Sequence, residues 1–85
     1  METLQIQILI LTNRLIIISK VDEVLADIGQ PDCKLINPCI YDNDELKPWI
    51  SELTDEKEML ISSDKILTLV EPNQEITNRY LEITK

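Results

Sequence analysis

Residues 4–21 are almost unbroken Ile and Leu, cut once by the polar triplet Thr12-Asn13-Arg14. Two β-rich apolar runs joined by a tight turn specify an antiparallel hairpin. Leu4, Ile6, Ile8 and Ile10 share one face, whereas Gln5, Gln7, Leu9 and Leu11 share the other, which changes from polar to apolar along its length. Leu15-Ile16-Ile17-Ile18 is apolar on both faces. Such a run suits a strand in a curled sheet, or one covered by another subunit.

Apolar runs return at 33–41, 46–53 and 58–70, so the chain reads as mainly β. Its 85 residues allow one domain, residues 1–85. A core this small hides only about 60–65% of the unfolded surface. The chain therefore holds more apolar strand than one copy readily buries. With no Phe, Ile and Leu must fill the interior, and with a single Gly, Gly29, the turns fall to Asn, Asp and Pro.

Lys34-Leu35-Ile36-Asn37-Pro38-Cys39-Ile40-Tyr41 reads as a strand kinked at Pro38, which has no N–H to donate. Asp42-Asn43-Asp44-Glu45 and Thr54-Asp55-Glu56-Lys57 read as turns. Residues 46–53 alternate as a strand. Residues 58–61 and 66–70 are strands separated by the short polar link Ser62-Ser63-Asp64-Lys65. For residues 22–32 two readings stand: a short helix from Asp22 to Gly29, or a strand running to about Leu25 followed by a loop. After Val70 the period changes. Ile76, Tyr80 and Ile83 fall at i, i+4 and i+7, Pro72 suits a first helical turn, and Glu75 precedes Arg79 by four. A short helix is expected over 72–83.

The formal net charge is -8, and the eight basic residues are scattered, no two adjacent. That balance opposes generic binding of a polyanion, whose phosphates are met by Lys and Arg. The chain has no His, which removes His-activated nucleophiles and most zinc sites. One Gly cannot build a phosphate-cradling loop. Carboxylates are plentiful, but no spacing singles out an acid–base pair. No enzyme activity, cofactor or metal is expected. The turn 42–45 lacks the Gly and the distal Glu of a calcium loop. Trp49 is expected to cover the end of the core.

Cys33 and Cys39 stand six positions apart. On a straight strand they would lie about 20 Å apart, whereas a disulfide needs Cα atoms within about 7 Å. Buried free thiols in a reducing cytosol are expected. No signal peptide is visible and Arg14 interrupts the longest apolar run, so a soluble, cytoplasmic protein without membrane contact is expected.

Two stretches carry a resemblance. Leu11-Thr12-Asn13-Arg14-Leu15 sits where Hfq-like proteins have an apolar strand ending in Asn-Gly, with Arg14 in place of the Gly. Residues 59–72, Met59-Leu60-Ile61-Ser62-Ser63-Asp64-Lys65-Ile66-Leu67-Thr68-Leu69-Val70-Glu71-Pro72, are similar to their last two strands, with Ser63-Asp64-Lys65 in place of a Lys-His loop. Over residues 4–72 the chain resembles the Sm-like (LSm and Hfq) family of small barrels, most nearly those of bacterial viruses. The resemblance implies a small five-stranded, strongly bent antiparallel barrel, here followed by the C-terminal helix. It implies a homo-oligomeric ring, pentamer to heptamer, closed by pairing one border strand with another on the next copy; Ile61, Leu67 and Leu69 would form the subunit interface. It also implies RNA contacts at a pore through Asn13, Arg14, Ser63 and Lys65, in the host cytoplasm for a viral protein. The acid balance places a non-catalytic assembly module ahead of an RNA binder.

Overall fold

The computed structural model describes residues 4–85. The hairpin forms as its pattern demands. Strand β1 (Ile6–Leu11) pairs antiparallel with β2 (Ile16–Glu23). The turn between them holds Arg14 at φ 71°, a left-handed conformation that a Gly would adopt more easily. Asn13 eases it by accepting the Leu15 N–H through its side-chain oxygen at 3.1 Å. Strand β3 (Cys33–Asp42) returns along β2. Strands β4 (Glu45–Pro48), β5 (Glu58–Ile61) and β6 (Ile66–Val70) follow, then helix α1 (Gln74–Thr84).

The order across the sheet is β4-β3-β2-β1-β6, and β5 also pairs with β3. All pairings are antiparallel. The sheet does not close on itself. Strand β6 forms one border, while β4 and β5 share the other, β4 along the far half of β3 and β5 along its near half.

Six strands form, one for each apolar run and one more than the barrel resemblance implies, and the run 46–53 is strand only over its first part. Pro48 ends it, the chain turns through residues 49–53 with Ile50 at φ 51°, and the border of β3 is resumed only at Glu58. Trp49 is half-buried and packs on the inner core, as expected. Residues 22–32 resolve to strand plus loop: β2 runs to Glu23, and Gly29 takes φ 88° in the turn that follows. The link 62–65 contains one 3-10 turn, Ser63–Lys65.

The core lies on both sides of the sheet. Leu9, Leu11, Ile17 and Leu35 are buried on the inner side, with Leu15, Val21, Ile40, Trp49, Ile61 and Ile66 packed around them. Ile18, Cys39, Leu46 and Tyr80 are buried on the other, beneath α1, with Ile6, Ile8, Ile16, Tyr41 and Ile76. Period-two alternation along β1 thus feeds two cores rather than one core and solvent. Each fully buried Leu or Ile contributes roughly 1.5–3 kcal/mol relative to exposure.

Helix α1 begins at Gln74, two residues later than Pro72 suggests. Asn73 is its cap, its side-chain oxygen accepting the Ile76 N–H at 2.9 Å. Tyr80 is its buried anchor. The β2–β3 register slips between Ile18 and Lys20, opposite Asn37 at φ 54° and Pro38. That slip interrupts the ladder and bends both strands. The groups it frees are satisfied from the side chains. The Tyr80 hydroxyl donates to the Ile36 carbonyl at 2.9 Å and accepts the Lys20 N–H at 3.3 Å. The Ser19 hydroxyl lies 2.8 Å from the Lys20 carbonyl and 3.1 Å from that of Ile36.

Candidate functional site

Two regions hold the residues singled out from the sequence. The first is one end of the molecule, where the β1–β2 turn meets the link between β5 and β6. The Thr12 N–H donates to the Lys65 carbonyl at 2.9 Å, so Asn13, Arg14, Ser63 and Lys65, some fifty positions apart in sequence, come to one place. Arg14 and Lys65 are exposed, and among the described residues neither joins an ion pair.

The other two side chains are occupied. Asn13 holds the turn. Ser63 donates both its hydroxyl and its N–H to the Asp32 carboxylate, each at 2.7 Å. These bonds, the hydroxyl's first, hold the Asp32 carboxyl below its ordinary value. Asp32 thereby ties the start of β3 to the link after β5. Sequence reasoning missed Asp32; nothing in a lone Asp after Pro31 signals a partner thirty-one positions away.

The second region is the pair of borders. Leu67 and Leu69 on β6 are 67% and 47% exposed, and β6 carries no charged residue. Val70 on the same strand and Leu60 on β5 are also exposed, and neither was singled out from the sequence. The signal was present in the uncharged run Met59-Leu60-Ile61. Ile61 is half-buried and turns its side chain into the inner core, which leaves only its main chain for a neighbour. The outer edges of β5 and β6 have no strand beside them among the described residues. A border strand without charge or proline is open to pairing.

The remaining chemistry is spent inside the fold. The turn 42–45 is a hairpin turn with Asn43 and Asp44 at φ 51° and 63°. Asp44 accepts the Tyr41 hydroxyl at 3.1 Å, and its carbonyl accepts the Arg79 guanidinium at 2.7 Å. That guanidinium lies 5.8 Å from the centre of the Tyr41 ring. Cys33 and Cys39 are free and buried, and burial pushes the Cys39 thiol up to about 11. A thiol so raised is a poor nucleophile. Among the described residues no group of three or more Cys, Asp and Glu gathers to hold a metal ion. No described helix is long and apolar enough to cross a membrane.

A model described as "Family of unknown function (DUF6561)" matches residues 4–85. The chain belongs to that family. No curated protein matches it. The match takes in every strand, the link 62–65 and α1, so the border strands and the helix belong to one family unit.

Proposed function

We propose that the chain is a non-catalytic assembly module of Sm-like type, which pairs the β5 border of one copy with the β6 border of the next and closes a ring, pentamer to heptamer. The observation that carries this reading is the uncharged border β6, with Leu67 and Leu69 turned to solvent in a protein of net charge -8. A chain this acidic has carboxylates to spare for blocking a border, and none stands within this one. The topology supports the same reading. An antiparallel sheet in the order β4-β3-β2-β1-β6, with β5 also on β3 and no closure of its own, leaves borders for a neighbour to pair with. Burial of the border leucines and main-chain pairing must offset repulsion between acidic copies, so assembly strengthens with salt.

Native mass measurement at micromolar concentration tests it. The expected result is a ring-sized species that falls to monomer in Leu67→Lys/Leu69→Lys while the secondary structure is retained. A wild-type monomer would end the proposal.

A second reading rests on the meeting of the β1–β2 turn with the 62–65 link. Copied around a ring, Arg14 and Lys65 form a cationic circle able to take single-stranded RNA. Retention of uridine- or adenine-rich RNA at low salt, lost in Arg14→Ala/Lys65→Ala, is the result it requires. The net charge and the engagement of Asn13 and Ser63 place it behind the assembly reading.

A further inference from the structure

The loop between β2 and β3 carries the two most exposed large apolar side chains of the described residues. Leu25 is 104% exposed and Ile28 105%. The loop is nonetheless ordered by its own main chain. The Val24 N–H donates to the Asp32 carbonyl at 3.0 Å, closing its base. The Gln30 N–H donates to the Asp27 carbonyl at 3.0 Å across a turn with Ile28 and Gly29 at its corners. Turn corners ordinarily carry polar residues or Gly and Pro, and here Ile28 fills one. The turn fixes the backbone at Ile28, so its apolar side chain is held out in solvent without gaining burial. Fixing the backbone in advance lowers the ordering cost of a contact made there.

The charge around the loop states what would cover it. Between Lys20 and Lys34 the chain holds Asp22, Glu23, Asp27 and Asp32 and no basic residue. A second copy of this acidic chain would meet like charge there, and so would an anionic lipid surface. We infer that Leu25 and Ile28 form a docking knob for a protein segment of opposite character, an amphipathic helix whose apolar face is flanked by Lys or Arg. The apolar pair supplies contact, and Glu23 and Asp27 supply orientation and encounter rate. The base of this loop lies beside β5, Val24 lining one concavity with Met59 and Leu60, so the native-mass arm of the test separates a docked helix from ring contact.

The test uses the full chain and two synthetic peptides of equal charge, one an amphipathic Leu/Lys helix and one with every Leu replaced by Ser. Binding is followed by fluorescence anisotropy at 0.15 M salt. The wild type is expected to bind the Leu/Lys peptide at least tenfold more tightly than the Ser/Lys peptide. Leu25→Ser/Ile28→Ser should abolish that difference with native mass and melting curve unchanged. Glu23→Gln/Asp27→Asn should weaken both peptides together. Should the double variant fail to fold, Leu25→Asn alone carries the same test. Equal wild-type affinity for the two peptides, or a difference that survives in Leu25→Ser/Ile28→Ser, overturns the inference. So does a lower native mass in that variant, which would assign the knob to a second copy. Loop-dependent binding to lipid vesicles would overturn it in favour of a membrane surface.

Discussion

The bend of β2 and β3 and the borders β5 and β6 both present main-chain groups that no neighbouring strand of the chain takes, and the fold treats them differently. At the bend, Tyr80 and Ser19 reach the Lys20 and Ile36 groups, and α1 covers the gap. At the borders nothing of the kind happens: Leu60, Leu67, Leu69 and Val70 stand in solvent beside open edges. An interruption inside the sheet is buried and must be satisfied by the chain itself, because an unpaired buried polar group is costly. An open edge at the surface has water, and is free to exchange it for a partner.

One cross-strand pair condenses the contrast. Leu9 and Leu69 lie opposite each other in the β1–β6 ladder, yet Leu9 is 0% exposed and Leu69 47%. The two residues are chemically identical and differ only in what stands beyond them.

The contrast breaks most readily at Tyr80. Tyr80→Ala removes a fully buried ring and both bonds at the bend, and is expected to destabilise the fold by about 3–5 kcal/mol in urea unfolding. A loss under about 1 kcal/mol would mean that the bend does not depend on the helix. Next in size, Leu9→Ala should cost about 2–5 kcal/mol and Leu69→Ala under about 1 kcal/mol when both are unfolded from dilute protein. Equal losses would show that the border is already covered within one copy. Tyr80→Phe keeps the ring and removes the hydroxyl, and a loss of about 1–2 kcal/mol is expected, since the Lys20 and Ile36 groups are left without it.

Alkaline pH sharpens the same point. Burial, ahead of the Lys20 bond that opposes it, pushes the Tyr80 phenol from 10.0 up to about 12. The folded chain holds the phenol neutral where the unfolded chain would ionise it. Stability present below pH 10 is therefore lost as the pH rises towards 12. Cys39, raised from 9.0 to about 11, adds a loss that begins lower. Denaturation midpoints across pH 8–12 should fall less steeply in Tyr80→Phe than in wild type (a window set by these two groups).

The smallest effect lies at Asp32, whose bonds from Ser63 favour the ionised form. Its contribution is present above pH 3.8 and is lost as the pH falls through its lower folded value. Ser63→Ala should return the Asp32 carboxyl towards 3.8 in an NMR titration with little change in melting. An unmoved titration would mean that the clasp does not form in solution.

Much of the architecture was readable from local pattern. The hairpin around Thr12-Asn13-Arg14, the strand at 33–41, the polar link at 62–65 and the C-terminal helix each follow from period and turn chemistry acting within a few residues. The 46–53 run misled because its alternation ignores what Pro48 and the left-handed Ile50 do to direction. The meeting of Arg14 with Lys65 was expected only through the family resemblance. The Asp32–Ser63 clasp and the service Tyr80 performs at the bend left no local trace, since each joins positions more than thirty apart.

The sequence by itself determined where the chain extends, where it turns and where it coils, because those choices rest on local sterics and on which residues alternate. The tertiary structure alone decided which apolar face was covered. Leu9 and Leu69 read identically until the strands assemble, when one lies inside the sheet and the other on its border. Burial depends on what stands across space, and a one-dimensional pattern carries no record of that.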